Sequence, residues 1–424
     1  MEIINLVIKM YLCKIDFLQF MKEQKLTYSV SYFKQFDGAR GLLAFSIFIL
    51  HLHFTYIKVP STLANFTLHS FFVASAFLIT KILLKDKQKS PTFKTFFVQF
   101  YVKRILRIFP VYFGYILILI LIAVFTKLTW YHDFAFVITE IKRSGWMLFT
   151  FTYNFKDLIA IFINDGELAT SSLFGHLWSI SLEEQFYIVI PFLIYFLSEK
   201  SLKRLAMFMI FIFPIIRILG YYYLHQKTDN YLLLGFAMIR NTFFQFDAFF
   251  YGILIALLPK INLKIIRRFF YTTIAMIVVQ EILNLSMIQH QFGIPFYKII
   301  SQYDIYARCG ASMYIDILLN ASCFCFLYLV FNTEAEFPLL LNDRLVEYGK
   351  FSFGSYVYQY LFIMPCYYLI YQNLIKIMPI IFAELITSFV CLSTLMWFSR
   401  ISYYSFEMYF LKKKEVLTKK LLSN

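Results

Sequence analysis

The chain has 424 residues, 60% hydrophobic and 21% aromatic, with a formal net charge of +15. Soluble domains sit at roughly 45–50% apolar, so the composition excludes an ordinary soluble domain and points to a polytopic membrane protein. The basic residues cluster in short segments between apolar runs, which is the pattern of positive inner loops and not of a nucleic-acid binder.

In chain order, residues 1–35 form a mixed basic extension, read as an interfacial amphipathic segment. It lacks the pattern of a cleavable signal peptide, and Met21 is an alternative start. Residues 36–414 form one transmembrane domain, and 415–424 a cytoplasmic tail. The fold class is all-α, with about ten spans predicted over 37–57, 66–84, 108–126, 183–197, 204–224, 243–258, 269–285, 313–331, 353–371 and 379–398. With the N-terminus inside, the inner segments hold 28 Lys and Arg and the outer segments 9, so the expected topology is N-in and C-in. Cys13, Cys309, Cys323, Cys325, Cys366 and Cys391 show no metal-ligand or disulfide spacing and read as small apolar residues; no metal is expected.

The first span begins FDGARGLLAFSIFILHLHF, Phe36 to Phe54. Arg40 and His51 are eleven residues apart, about 16 Å along a helix and about 20° beyond three full turns, so they share one stripe. Intramembrane ionisable residues usually face the bundle interior and mark a site. His53 is a competitor, but points about 200° away from His51.

The stretch YVKRILRIFPVYF follows, Tyr101 to Phe113. Arg104 and Arg107 are three apart and share a helix face. Two guanidinium groups on one face suit a phosphate. Together with Arg40 they predict an anion pocket near the inner surface.

The third stretch is FGHLWSISLEEQFYIVIPFLI, Phe174 to Ile194, expected to enter the fourth span from the outer face. A capped helix start accounts for Ser179, Ser181 and one of Glu183 and Glu184. It does not account for His176 beside Trp178.

These three stretches together resemble the acyltransferase 3 family of membrane O-acyltransferases. The family's Arg, ten residues, then His is matched by Arg40 and His51. Its Arg-x-x-Arg is matched by Arg104 and Arg107. Its His-Leu-Trp-Ser followed by Glu-x-x-Phe-Tyr is matched by His176, Leu177, Trp178 and Ser179, then Glu183, Phe186 and Tyr187, with Glu184 adjacent. FFVASAFLIT, carrying Ser75, resembles a family segment with Ala76 where Gly is usual. TFFQFDAFFYGILIAL keeps Asp247 and Gly252 but has Gln245 where Arg is usual. GKFSFGSYVYQYLFIMP has Gln359 where His is usual. ISYYSFEMYFLKKK resembles the family's C-terminal Ser-Tyr…Glu signature.

The resemblance implies transfer of an acyl group, commonly acetyl, from cytoplasmic acyl-CoA to a hydroxyl of an extracytoplasmic glycan or lipid-linked sugar, in a bacterial cytoplasmic membrane. Acyl-CoA is then a donor substrate; no permanently bound cofactor is expected. The expected acyl-CoA ligands are Arg40, Arg104 and Arg107. His51, as general base or acyl carrier, His176, Glu183 and Glu184 are the expected catalytic group. Ser75, Trp178, Ser179, Tyr187 and Asp247 are further candidates. Some family members carry an added extracytoplasmic hydrolase-like domain; this chain is expected to act alone or with a separate partner. The rival reading is a permease or flippase for a lipid-linked sugar, which buried His and Arg would also serve. A non-catalytic sensor is a third reading, motivated by Gln245 and Gln359.

Overall fold

A computed structural model describes residues 34–52, 54, 61–90, 92–125, 132–165, 173–292, 304–333 and 337–423. Residues 1–33 of the basic extension and His53 therefore lie outside the described residues. Helices dominate, and no strand occurs among the described residues. In order they are α1 (Lys34–His51), α2 (Ser61–Lys89), α3 (Phe93–Phe125), α4 (His132–Phe149), α5 (Lys156–Ile163), α6 (Trp178–Phe196), α7 (Glu199–His225), α8 (Tyr231–Arg240), α9 (Thr242–Gln245) and α10 (Asp247–Leu257). There follow α11 (Leu263–Phe292), α12 (Asp304–Asn332), α13 (Asp343–Lys350), α14 (Ser352–Cys366), α15 (Gln372–Leu374), α16 (Ile380–Ile401) and α17 (Met408–Ser423). π-helical turns at Tyr367–Tyr371 and Ser402–Glu407 follow α14 and α16.

Among the described residues, six helical stretches are long and apolar enough to cross a membrane: Thr62–Lys89, Phe93–Phe125, Gly175–Phe196, Glu199–His225, Ile315–Asn332 and Ile380–Lys414. The other expected spans are helical too, but shorter or more polar. The 243–258 segment divides, because the Asn241 side chain caps α9 and a separate helix starts at Asp247. The expected outer loop 127–182 contains α4 and α5. Most helices overrun their apolar segment. The longest, α3, starts at Phe93 where hydropathy alone set a start at 108.

Residues from Gln35 onward form one unit. Helix α2 packs against α10 and α12, α12 against α11, and α7 against α10. On the other side α17 packs on α3, and α16 on α14. Helix α6 touches both α2 and α3. In lipid there is no hydrophobic drive between helices, so close packing and interhelical hydrogen bonds carry the association. Two glycines show how close the contacts are. A Cβ on Gly349 would strike the carbonyl oxygen of Asp37, and one on Gly252 would strike the carbonyl of Val73. The first contact brings α1 against α13 and so sets Arg40; the second seats α10 on α2.

Candidate active site

Helix α1 presents Arg40 and His51 to one partner, α14. Arg40 donates from Nη2 to Ser352 Oγ at 3.1 Å and from Nη1 to Asp37 Oδ1 at 3.3 Å. His51, at the end of α1, stands edge-on to Tyr360 with ring centroids 5.3 Å apart. Its Nδ1 lies 2.8 Å from the Ile47 carbonyl oxygen. A carbonyl only accepts, so Nδ1 carries the proton and the neutral ring holds its lone pair on Nε2.

A second cluster gathers the arginines. The Arg104 guanidinium carbon lies 5.1 Å from the Tyr187 ring centroid and 5.8 Å from that of Phe100. Tyr187 donates to Glu183 Oε2 at 3.2 Å, and its oxygen is 2.6 Å from Ser75 Oγ. Glu183 is close enough to Arg104, Arg107 and Arg40 to interact electrostatically with all three. Glu184 interacts with Arg104. Glu407, turned in by the π-helical turn after α16, interacts with Arg107 and Arg40. Neither Arg104 nor Arg107 makes a side-chain hydrogen bond or ion pair with any described residue, and Arg104 Nε is buried without a partner. Their donors are uncommitted in a nest of aromatic rings and carboxylates.

This corrects one expectation. Glu183 and Glu184 were placed at the outer face, across the membrane from the arginines. They share the arginine cluster instead. The reason is helix overrun: Arg104 is eleven residues into α3, about 16 Å from its start, and Glu183 is more than a turn into α6. Both side chains reach the interior of the bundle from their own ends.

The third group is a cluster of rings. The His176 and Tyr360 centroids are 5.0 Å apart, so Tyr360 stands between His176 and His51. Tyr356 and Tyr115 flank His176 at 5.4 and 5.5 Å. His176 Nε2 lies 2.9 Å from the Val357 carbonyl oxygen, which makes Nε2 the donor; Nδ1 is buried without a hydrogen-bond partner. Tyr356 donates to the His176 carbonyl oxygen at 2.6 Å and lies 2.7 Å from Ser179 Oγ. It also interacts electrostatically with Glu183, which links the rings to the arginine cluster. Ser179, Glu183 and Tyr187, four residues apart, form the stripe of α6 that faces both groups.

Two expected site residues lie elsewhere. Trp178 packs edge-on to Phe72, ring centroids 6.3 Å apart. Asp247 is in a separate buried network. It accepts two hydrogen bonds from Arg217 Nη2 at 2.7 and 2.8 Å, and Arg217 Nε donates to the Phe244 carbonyl oxygen at 2.7 Å. Asp316 Oδ2 lies 3.6 Å from Arg217 Nε and accepts from Gln245 Nε2 at 3.1 Å. Gln245, where the resemblance expects arginine, thus reaches Asp316 in this network, whose cation is Arg217 of α7. The sequence signal for it is an arginine in the middle of the apolar span 204–224. Gln359 is 1% exposed and its Nε2 has no hydrogen-bond partner. No group of three His, Cys, Asp or Glu among the described residues is placed to hold a metal.

A family profile described as an acyltransferase domain matches residues 33–399. Among curated proteins, the peptidoglycan O-acetyltransferase OatA of Listeria monocytogenes is 28% identical over 181 residues, 42% of this chain and 27% of that protein. The O-acetyltransferase OatA of Staphylococcus aureus is 28% identical over 202 residues, 47% of this chain and 31% of that protein. The alignments thus span less than a third of these relatives' length. No solved structure significantly matches the chain. The profile covers most of the sequence and every residue of the three clusters but Glu407, and the chain belongs to the acyltransferase 3 family.

Proposed function

We propose that this protein is a membrane O-acyltransferase that moves an acetyl group from cytoplasmic acyl-CoA to a hydroxyl of a cell-envelope glycan or lipid-linked sugar. The observation that carries the reading is Arg104: a guanidinium with no hydrogen-bonded partner among the described residues, beside an equally uncommitted Arg107 and within reach of Arg40. Such donors suit the phosphates of CoA. The topology proposed is ten spans, N-in and C-in, in a bacterial cytoplasmic membrane, supported by the 28 to 9 distribution of Lys and Arg. The curated relatives' names favour peptidoglycan or a related envelope polymer as acceptor.

The donor phosphates sit on Arg104 and Arg107, with Arg40 completing the pocket. The pantetheine arm follows the face of α1 toward His51, about 16 Å away, and brings the thioester carbonyl to Nε2. His51 removes the acceptor hydroxyl's proton as that oxygen attacks the carbonyl; the C–O bond forms, the C–S bond breaks, and the proton passes to the CoA thiolate. In the alternative route Nε2 itself carries the acyl group. Glu183 and Glu184 set the arginines and Tyr187, and His176 orders the rings beside His51. The test is transfer of label from acetyl-CoA to envelope glycan in membranes with and without the protein, read by mass spectrometry. Acyl-CoA binding that weakens with salt supports the donor site. Movement of a lipid-linked sugar with no acyl transfer would favour the permease reading.

A further inference from the structure

One polar group beside His51 has no part in the mechanism so far. Tyr360 is 7% exposed and its ring stands between those of His51 and His176. Its hydroxyl makes no hydrogen bond to any described residue. The two tyrosines that flank His176 are committed: Tyr356 to the His176 carbonyl at 2.6 Å and Tyr115 to the Leu173 carbonyl at 2.6 Å. The ring is packed, but the Tyr360 hydroxyl oxygen itself is not sealed from solvent. Its proton is therefore open to water or to a ligand that enters beside His51.

Acyl transfer supplies an acceptor. When a hydroxyl, or Nε2 of His51, adds to the thioester carbonyl, that carbonyl oxygen becomes an oxyanion and needs a donor. His51 cannot serve: its Nδ1 proton is held by the Ile47 carbonyl and its Nε2 has only a lone pair. His176 cannot serve either: its Nε2 proton is held by Val357, and Nδ1 is an acceptor in that tautomer. Tyr356 is committed to His176. Tyr360 has an uncommitted proton, and is neutral at physiological pH because a phenol titrates near 10. Arg240, held by Asp157 Oδ2 at 3.1 Å, is near enough to interact electrostatically with Tyr360.

We propose that Tyr360 is a catalytic residue of the transfer, donating a hydrogen bond to the acyl carbonyl oxygen as it becomes an oxyanion at His51. The proton stays on the phenol; the bonds made and broken are those of the transfer itself. The assignment rests on the acyltransferase reading above. The residue is adjacent to Gln359, where the resemblance expects histidine.

The test is Tyr360→Phe, which keeps the ring stack and removes the hydroxyl. Loss of one oxyanion donor costs about 10²–10³ in rate. The expected result is a fall of that size in kcat, with acyl-CoA Kd, KM and membrane protein level unchanged. A kcat within about threefold of native overturns the assignment, as does a change confined to KM, which would mark a binding contact. Should Tyr360→Phe not accumulate, 3-fluorotyrosine in place of Tyr360 keeps ring and hydroxyl with a more acidic proton. kcat must then shift at constant acyl-CoA Kd, and an unchanged kcat overturns the assignment. If the native protein transfers no acyl group, the acyltransferase reading fails and the tyrosine's role with it. Native transfer with an unaffected Tyr360→Phe removes only the tyrosine.

Discussion

The Arg104 guanidinium lies over the ring of Tyr187, 5.1 Å from its centroid, and so joins the Arg-x-x-Arg stretch to the Glu-x-x-Phe-Tyr stretch. The two motifs belong to one site. A cation over an aromatic face gains about 0.5–2 kcal/mol, enough to orient the guanidinium while leaving its N–H groups for a ligand.

The double variant Arg104→Ala/Arg107→Ala is expected to lose acyl-CoA binding while remaining in the membrane. Hydrogen bonds to charged groups are worth roughly 1.5–3 kcal/mol each, so each single alanine should raise Kd by about 10- to 100-fold. Lysine should rescue only partly, because it lacks the planar fork. Calorimetric titration with acyl-CoA at two salt concentrations measures this. Unchanged affinity in the double variant removes the donor pocket.

Glu183→Gln distinguishes a carboxylate that sets the arginines from one that orients the acceptor. It keeps an oxygen for the Tyr187 hydrogen bond and removes the negative charge that faces Arg40, Arg104 and Arg107. The expectation is acyl-CoA binding as tight as native or tighter, with a fall in turnover. A raised KM for the glycan acceptor with unaltered donor affinity would return Glu183 to the acceptor side.

The Arg217–Asp247 pair predicts a stability effect and not a catalytic one. Removing one partner of a buried ion pair leaves an uncompensated charge and costs about 3–5 kcal/mol. Arg217→Ala should therefore deplete folded protein. The triple variant Arg217→Met/Asp247→Leu/Asp316→Asn should recover part of it, since the buried charges of the network are then all gone. Thermal unfolding in detergent and acyl-CoA affinity of the folded fraction separate the two effects. A stable Arg217→Ala with reduced kcat would place the pair in the chemistry.

Gln359→His restores the residue that the resemblance expects. The native protein is expected to be active, and the variant to change its rate by less than about threefold, near the scale of one modest net hydrogen bond. An inactive native protein made active by this change would show that the family's histidine is indispensable here.

His51→Ala should cost about 10²–10⁴-fold in transfer if His51 is a general base. It should leave essentially no transfer if His51 carries the acyl group. Quenching the native protein with labelled acyl-CoA and no acceptor then separates the routes: label on His51 supports the covalent path. Near-native activity with intact protein would remove His51 and make His53 the next residue to test.

Two kinds of information meet in this protein. Helix class, the apolar segments and the shared stripe of Arg40 and His51 are local: hydropathy reads the first two, and 3.6 residues per turn reads the third. The Arg, His and Glu positions were legible because charge in an apolar run is costly and stands out. What no local pattern carries is which faces meet. Helix overrun brought Glu183 and Glu184 to the arginines, where hydropathy had put them at the opposite surface. Trp178 and Asp247 sit inside quoted motifs yet face Phe72 and Arg217. Gln245 joins a network whose cation, Arg217, comes from another helix. Tyr360, one of 32 tyrosines, has no sequence signal at all. Its position between two imidazoles is set by the crossing of α1 and α14 and by the backbone carbonyls that fix each ring, and these exist only once the helices are packed.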